Sequence, residues 1–120
     1  IDNIIRMQHI TRVPQVDNYL KGVINVRGEV IPVMSIRIKM GLEPDVDSKS
    51  TRIIILKLEQ HSTIGVIVDE VKEVVTLEND QIEKIAYDAK EGMKSFLCGI
   101  GKCDGGLISL LDLNSVVENV

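Results

Sequence analysis

The segment that most constrains the fold of this chain is Lys21–Leu42, KGVINVRGEVIPVMSIRIKMGL. Two apolar runs of strand length flank the sequence Asn-Val-Arg-Gly, and this pattern is typical of a β-hairpin. Because side chains alternate across a strand, the polar residues Asn25 and Arg27 share one face of the first arm. The segment therefore predicts two paired strands that present polar groups beside their turn.

The second arm of this hairpin carries further signals. Val30–Met34 is apolar on both faces, which predicts that both faces are covered. Pro32 has no N–H to donate to a neighbouring strand, so the arm is expected to be an edge strand or a bulged strand. Beyond it, Ile36–Met40 is expected to form a helical turn that ends at Gly41.

The rest of the chain repeats the pattern of short strands between turns. With 17 Ile and 15 Val, it is rich in the β-branched side chains that suit a pleated sheet. Strands are predicted over Ile1–Arg6, Arg52–Leu58, Thr63–Asp69, Val71–Leu77, Phe96–Ile100 and Leu107–Leu111, with His9–Val13 extended. Short strands separated by turns predict an all-β fold built as small barrels or a sandwich.

Three finer expectations concern the second half of the chain. Ile64, Val66 and Val68 alternate along one predicted strand and are expected to face the core. Glu78–Lys94 is expected to be a helix or a long ordered loop, because apolar residues recur in it at helical spacing. A C-terminal helix is expected to start at Asp112–Asn114, with Asp112 or Asn114 as its cap. Val116 and Val117 are expected to form its apolar side.

Composition disfavours several classes of partner. The net charge of −4 at pH 7 leaves no broad positive surface for a nucleic acid or an anionic membrane. Two Tyr, one Phe and no Trp provide few platforms for stacking bases. No apolar run approaches the roughly 20 residues that a membrane-spanning helix needs. Two Cys are typical of a reduced chain, so a cytoplasmic protein is expected. The length of 120 residues predicts one domain or less.

The segment Cys98–Cys103, CGIGKC, is the part of the chain that most resembles a chemical motif. Its single pair of cysteines lacks the second pair of ligands of a zinc site, and its glycines are too closely spaced for a phosphate-binding loop. We interpret it as a strand bent by glycine, and Asp104-Gly105-Gly106 after it as a hairpin turn. An enzyme would need a pocket that brings His9 or His61 to a Cys, and no familiar arrangement predicts one. We expect no catalytic residue, no metal and no cofactor.

Three segments, in this order, resemble the CheW-like family, the adaptors that couple bacterial chemoreceptors to the histidine kinase CheA. They are Lys21–Leu42, Gly65–Val71, and Cys98–Lys102 running into Gly106–Leu113. The resemblance covers nearly the whole chain and implies one domain over residues 1–120, built as two small, intertwined, five-stranded SH3-like β-barrels with a short C-terminal helix. Measured against the family, two N-terminal strands are missing, roughly one hairpin, which predicts an unpaired strand edge.

The resemblance also implies a receptor-binding surface. In the family, the Asn-x-Arg-Gly segment lies beside the groove that receives the helical tip of the chemoreceptor. The matching positions of this chain are Asn3, Asn25, Arg27, Arg52 and Val71. The family usually counters the Arg with a Glu, where this chain has neutral Asn3. Arg27 is therefore expected to face Asp2, Glu29 or solvent, or else the early strand aligns with the family one position off. The family's frequent Asp is replaced by Ser35.

A second surface is implied for the kinase. Family members carry a Thr-Arg-hydrophobic stretch where this chain has Ile10, Thr11, Arg12 and Val13, so these residues are expected to face the regulatory domain of CheA. The implied function is a non-catalytic, cytoplasmic adaptor that scaffolds chemoreceptors to the kinase. It would be recruited to membrane-associated receptor arrays without touching the membrane or any nucleic acid.

Alternatives remain open at this point. Within the family, the same fold occurs as the regulatory domain of CheA and as the front half of CheV, ahead of a receiver domain. A parent gene with about 300 more residues, or with a receiver domain, would favour one of these. Outside the family, a small β-barrel module that binds peptide or nucleic acid fits the strand pattern, but the acidic balance and the few aromatic residues disfavour it.

Overall fold

The computed structural model describes residues 3–58, 62–84 and 96–117, which divide into two compact units with the boundary after Lys72. The first unit holds a five-stranded sheet in the order β1-β4-β5-β3-β2. Its elements are β1 (Asn3–Arg6), β2 (Leu20–Val26), β3 (Glu29–Ser35), α1 (Ile36–Lys39), β4 (Arg52–Leu56) and β5 (Ile64–Val68). The second unit holds β6 (Ile82–Lys84), β7 (Leu97–Cys103), β8 (Gly106–Leu111) and α2 (Leu113–Val116), with one 3₁₀ turn at Asn79–Gln81. The predicted all-β fold is confirmed.

The predicted hairpin is formed by β2 and β3, which pair antiparallel with only Arg27 and Gly28 between them. These two residues have φ of 53° and 83°. Two-residue hairpin turns favour this left-handed conformation because its twist matches that of the flanking strands. The predicted helical turn after β3 is also present as α1, which has Met40 as its C-cap and is followed by Gly41, whose φ is 77°.

The first sheet closes on itself through the segment that follows β1. β1 pairs with β4 at one edge of the sheet, and β2 forms the other edge. Thr11 and Val23 exchange two backbone hydrogen bonds, of 2.9 and 2.8 Å, which attach this segment to the outer side of β2. Because β1 and Thr11 belong to one continuous segment, the two edges are joined and the sheet forms a small barrel.

Gly22 allows this closure. It has a φ of 146° and lies beside a register shift in β2. A β-carbon at this position would collide with the carbonyl oxygen of Thr11 and would lie 2.9 Å from Cγ2 of Ile10. Only a residue without a side chain lets the crossing segment approach β2 this closely.

The core of the first unit lies on one face of its sheet. Its buried members are Ile24, Ile31, Val33, Ile53, Ile55 and Ile67. Ile64 and Val66 are buried as predicted. They lie on the other face of β5 from Ile67, because side chains alternate along a strand. The main core therefore uses the face of this strand opposite to the one that the sequence pattern favoured.

The prediction that β3 is an edge or bulged strand is wrong, since β3 lies between β5 and β2. Val23, the partner of Pro32 on β2, uses its N–H and C=O for Thr11. The nitrogen of Pro32 therefore points to the other side of β3, where pairing with β5 begins only at Val33. The missing N–H costs no ladder hydrogen bond at this position.

Two expectations for the segment after β5 are also wrong. Residues 71–78 form no strand, although Val71–Leu77 is rich in β-branched side chains, and Val74 is 82% exposed. Such a run forms a strand only where a neighbouring strand pairs with it. Ile82–Lys84 is a strand paired with β7 rather than part of a helix or loop, and the predicted continuation over residues 85–94 lies outside the described residues.

The second unit is built on the hairpin of β7 and β8. Asp104 and Gly105 form its turn, with φ of 44° and 77°, as predicted for this segment. β6 pairs with the other side of β7, so the described residues of this unit supply three strands of a barrel for which the resemblance implied five. The C-terminal helix is confirmed, with Asp112 as its cap and Val116 buried.

Candidate functional site

Arg27 lies at the tip of the hairpin formed by β2 and β3. It is exposed, and among the described residues its guanidinium has neither a hydrogen bond nor an ion pair. Glu29, one of the acids expected to face Arg27, is the first residue of β3. Within the described residues, Glu29 forms no ion pair with Arg27. Asp2 lies outside the described residues. Arg27 thus presents its five N–H donors at the protein surface.

The two asparagines assigned to the receptor surface have local backbone partners. The side-chain oxygen of Asn25 accepts a hydrogen bond from the N–H of Gly28 at 3.0 Å, which fixes the turn that carries Arg27. The backbone oxygen of Asn25 accepts a bond from Nε2 of Gln8 at 3.3 Å. Oδ1 of Asn3 accepts the N–H of Ile4 at 2.9 Å. Asn25 therefore positions Arg27 through the turn.

Arg52, at the start of β4, is held by the turn that precedes it. Its Nη1 donates to the carbonyl oxygens of Lys49, at 2.8 Å, and Thr51, at 2.9 Å. The turn is itself fixed, because the N–H of Ser48 donates to the hydroxyl of Thr51 at 3.0 Å and Thr51 is buried. Val71 is half-buried in the irregular segment that follows β5. These residues place one oriented guanidinium on the first unit.

The segment assigned to the kinase has structural and exposed members. Ile10 packs against the core and the backbone of Thr11 closes the barrel, so both contribute to the fold. Arg12 and Val13 are exposed and line an open groove of about 840 Å³. The groove continues along Lys21 on β2, and its lining also includes apolar residues such as Val16 and Ile38. Arg12 and Val13 are therefore the members of this segment that a partner can reach.

Sequence reasoning missed an ion pair between Arg37 and Asp69. Nε and Nη2 of Arg37 donate to the two carboxylate oxygens of Asp69 at 2.8 and 2.7 Å. These hydrogen bonds, and then the opposite charge, raise the pKa of Arg37, and the same hydrogen bonds lower the pKa of Asp69. No local sequence pattern predicts this ion pair, because it forms where the parallel strands β3 and β5 end side by side.

Ser35 connects α1 to the polar loop formed by residues 43–50. Its hydroxyl accepts the N–H of Ile38 at 3.2 Å, which caps the helix, and donates to the carboxylate of Asp45. Nη1 of Arg37 also donates to the carbonyl oxygen of Glu43 at 3.3 Å. The first part of the loop is thereby tied to α1, and a carboxylate reaches Ser35 from Asp45 in the loop.

The described residues hold no arrangement suited to metal or nucleophilic chemistry. Within residues 3–58, 62–84 and 96–117, no three His, Cys, Asp or Glu side chains are grouped so that they could hold a metal ion. Burial, followed by the charges of Asp104 and Glu73, raises the pKa of the Cys103 thiol, which makes it a poor nucleophile at neutral pH. His9 is exposed, and His61 lies outside the described residues.

The entire chain matches one known protein family. Residues 1–120 match the family described as CheW-like domain. The chain belongs to the CheW-like family. All three segments that carried the resemblance lie within the match. In the described part of this CheW-like chain, no helix is both long and apolar enough to cross a membrane.

Named relatives and a solved structure resemble this CheW-like chain over most of its length. Chemotaxis protein CheW of Thermotoga maritima is 32% identical over 120 residues, which cover 100% of this chain and 77% of the relative. Chemotaxis protein CheW of Helicobacter pylori is 29% identical over 108 residues, covering 90% of this chain and 64% of the relative. The crystal structure of the scaffolding protein TtCheW from Thermoanaerobacter tengcongensis has a TM-score of 0.83 at 29% identity, covering 98% of this chain and 75% of that one. The CheW-like chain thus spans between 64% and 77% of the length of these proteins.

Proposed function

We propose that this CheW-like chain is a non-catalytic chemotaxis adaptor. Its receptor-facing surface, made of Asn3, Asn25, Arg27, Arg52 and Val71, binds the cytoplasmic tip of a methyl-accepting chemoreceptor. Its kinase-facing surface, made of Ile10, Thr11, Arg12 and Val13, binds the regulatory domain of the histidine kinase CheA. By holding both partners in one cytoplasmic array, it lets a change in the receptor alter kinase activity.

The observation that carries this proposal is the family match over the whole chain. The positions of Arg27 and Arg12 support it. Arg27 follows the last residue of β2, and the groove beside Arg12 includes Lys21 near the start of that strand. An extended strand of this length spans on the order of 20 Å. Partners bound at Arg27 and at Arg12 would therefore contact opposite ends of β2.

The described residues hold no arrangement suited to metal or nucleophilic chemistry. This is compatible with a scaffold, whose affinity comes from complementary apolar and polar patches. Arg27 and Arg12 are exposed cations of the kind that contribute to such interfaces, since Arg is enriched among residues with large effects on binding. Each lies in a different surface, so each reports on a different partner.

Isothermal titration of the full-length protein against the same organism's CheA regulatory domain, and separately against the receptor cytoplasmic fragment, tests the proposal. Arg12→Ala is expected to weaken kinase binding about tenfold and Arg27→Ala to weaken receptor binding about tenfold, the equivalent of one charged hydrogen bond. Lys84→Ala, which removes an exposed cation from β6, is the matched control and leaves both affinities unchanged.

Two results would contradict the proposal. A folded protein that binds neither partner at micromolar concentration is not an adaptor of this kind. Equal losses for both partners in Arg12→Ala and Arg27→Ala would show that the two surfaces are not separate.

A further inference from the structure

Two arginines stand directly opposite each other on the first sheet. Arg6 ends β1 and Arg52 begins β4, and they are cross-strand partners. The neighbouring pair, Ile5 and Ile53, faces the core, so Arg6 and Arg52 lie on the outer face of the sheet. Like charges in directly opposed positions destabilise an antiparallel pair. The pairing of these two charges therefore does not itself stabilise the sheet.

Nearby acidic groups in the described structure do not neutralise the two arginines. The groove beside them has a volume of about 440 Å³ and is lined by a third cation, Lys49, and by Met7, with no carboxylate in its described lining. Asp69 follows the strand that pairs with β4, but both of its carboxylate oxygens accept bonds from Arg37. The positive charge of this groove is therefore available to a partner.

Arg52 is oriented before any partner binds. Its Nη1 is fixed by two backbone carbonyl oxygens, while Arg6 is exposed and has no hydrogen bond among the described residues. Fixing a side chain in advance lowers the entropy lost on binding. A planar guanidinium can then bind a carboxylate through two parallel hydrogen bonds.

We propose that Arg6 and Arg52 together bind a carboxylate of the receptor tip, contributed by an aspartate or glutamate on its surface. This inference rests on the proposed adaptor function, and it adds Arg6 to the receptor-facing surface. Met7 supplies an apolar contact in the same groove. An isolated acidic side chain fits better than a nucleic acid, because the net charge of −4 repels an extended polyanion.

The test is titration of the receptor cytoplasmic fragment into the full-length protein at low and high salt, with Arg6→Gln, Arg52→Gln and the double variant. Each single substitution is expected to weaken binding about fivefold, the upper range for an exposed charge pair, and to reduce the salt dependence. Lys84→Gln is the matched control and leaves the affinity unchanged. Arg6→Gln is also expected to raise the melting temperature of the free protein, because it removes the opposed like charge.

The possible outcomes separate this inference from the adaptor proposal. Receptor binding that is unchanged in Arg6→Gln overturns the inference and leaves the adaptor function intact. Weaker binding together with a lower melting temperature assigns the effect to folding and also overturns it. Equal displacement of the receptor fragment by a DNA oligonucleotide shows a general anion site instead. Absence of receptor binding by the unsubstituted protein overturns both proposals.

Discussion

At the scale of single residues, Asn25 shows how a side chain assigned to binding also serves the fold. Its oxygen accepts the Gly28 N–H inside a turn in which Arg27 adopts a left-handed φ of 53°. This conformation costs a non-glycine residue roughly 1–2 kcal/mol. The hydrogen bond from Gly28 helps the turn to hold it. Asn25 and Arg27 therefore act as one unit, with Asn25 as the positioning residue.

Replacing Asn25 with Ala should lower the free energy of unfolding by about 1 kcal/mol, the usual value of one lost hydrogen bond. Urea unfolding followed by circular dichroism measures this change. Asn25→Asp keeps the accepting oxygen and serves as the control. If Asn25→Ala and Asn25→Asp are equally stable, the bond to Gly28 contributes nothing.

The ion pair of Arg37 and Asp69 should make stability depend on acidic pH. The pKa of Asp69 is lowered from its ordinary value of 3.8 by the hydrogen bonds from Arg37. A carboxyl whose pKa is lowered on folding stabilises the protein above its unfolded pKa, and the contribution disappears as pH falls through the lowered pKa. Melting temperature should therefore fall less steeply below pH 3.8 in Asp69→Asn than in the unsubstituted protein. If the melting temperatures of the two proteins fall equally steeply at acidic pH, the ion pair makes no such contribution.

Part of the candidate site could be read from the sequence at this scale. A hairpin around Asn-Val-Arg-Gly was expected, with Arg27 on its first arm, and the structure places Arg27 one residue beyond that arm, in the turn. The structural roles of Ile10 and Thr11 were not predictable, because they depend on contact with β2 across the sheet. The receptor and kinase assignments themselves stay predictions.

At the scale of elements, local signals predicted hairpins well and pairings between distant strands poorly. The turn at Arg27 and Gly28 and the turn at Asp104 and Gly105 lie where the sequence indicated. The interior position of β3 was not foreseen, because its parallel pairing with β5 joins segments far apart in sequence. Val71–Leu77 was expected to be a strand from its β-branched content, but pairing decides strand formation as much as composition does.

Barrel closure depends on Gly22, so Gly22→Ala should destabilise the protein by more than about 1 kcal/mol. The added methyl group would meet the Thr11 carbonyl and force the crossing segment away from β2. Gly106→Ala is the control, since a β-carbon there makes an ordinary contact at 3.6 Å with the Cys103 carbonyl oxygen. Chemical unfolding of both variants measures the difference. Equal unfolding midpoints for Gly22→Ala and Gly106→Ala would show that barrel closure tolerates a side chain at Gly22.

β8 is an edge strand in the described part of the second sheet and carries Leu107, which is 72% exposed. Exposed apolar edge strands promote association between chains. Leu107→Lys should reduce self-association in sedimentation velocity while changing the free energy of unfolding by less than about 0.5 kcal/mol. The half-buried Leu110 offers a contrast, because Leu110→Lys should lower stability. Unaltered sedimentation of Leu107→Lys would show that this edge does not associate.

At the scale of the whole molecule, the expectation of a single domain stays a prediction, and calorimetry tests it. A chain of 120 residues that unfolds in one step should absorb about 80 kcal/mol near 60 °C, with equal calorimetric and van't Hoff enthalpies. The two compact units, which meet in sequence after Lys72, offer the alternative. Two resolved transitions would show that each unit unfolds by itself.

The bridge between Thr11 and Val23 has a consequence for how binding at the kinase-facing surface can be observed. The segment whose Arg12 and Val13 face the groove is the segment that seals the barrel. Amide hydrogens at such a seam exchange with deuterium only when the seam opens. A protein that binds Arg12 and Val13 must reduce that opening, so deuterium uptake at the amides of Thr11 and Val23 slows in the complex. Val23 lies on β2, outside the kinase-facing surface, and reports the closure of the seam rather than direct contact.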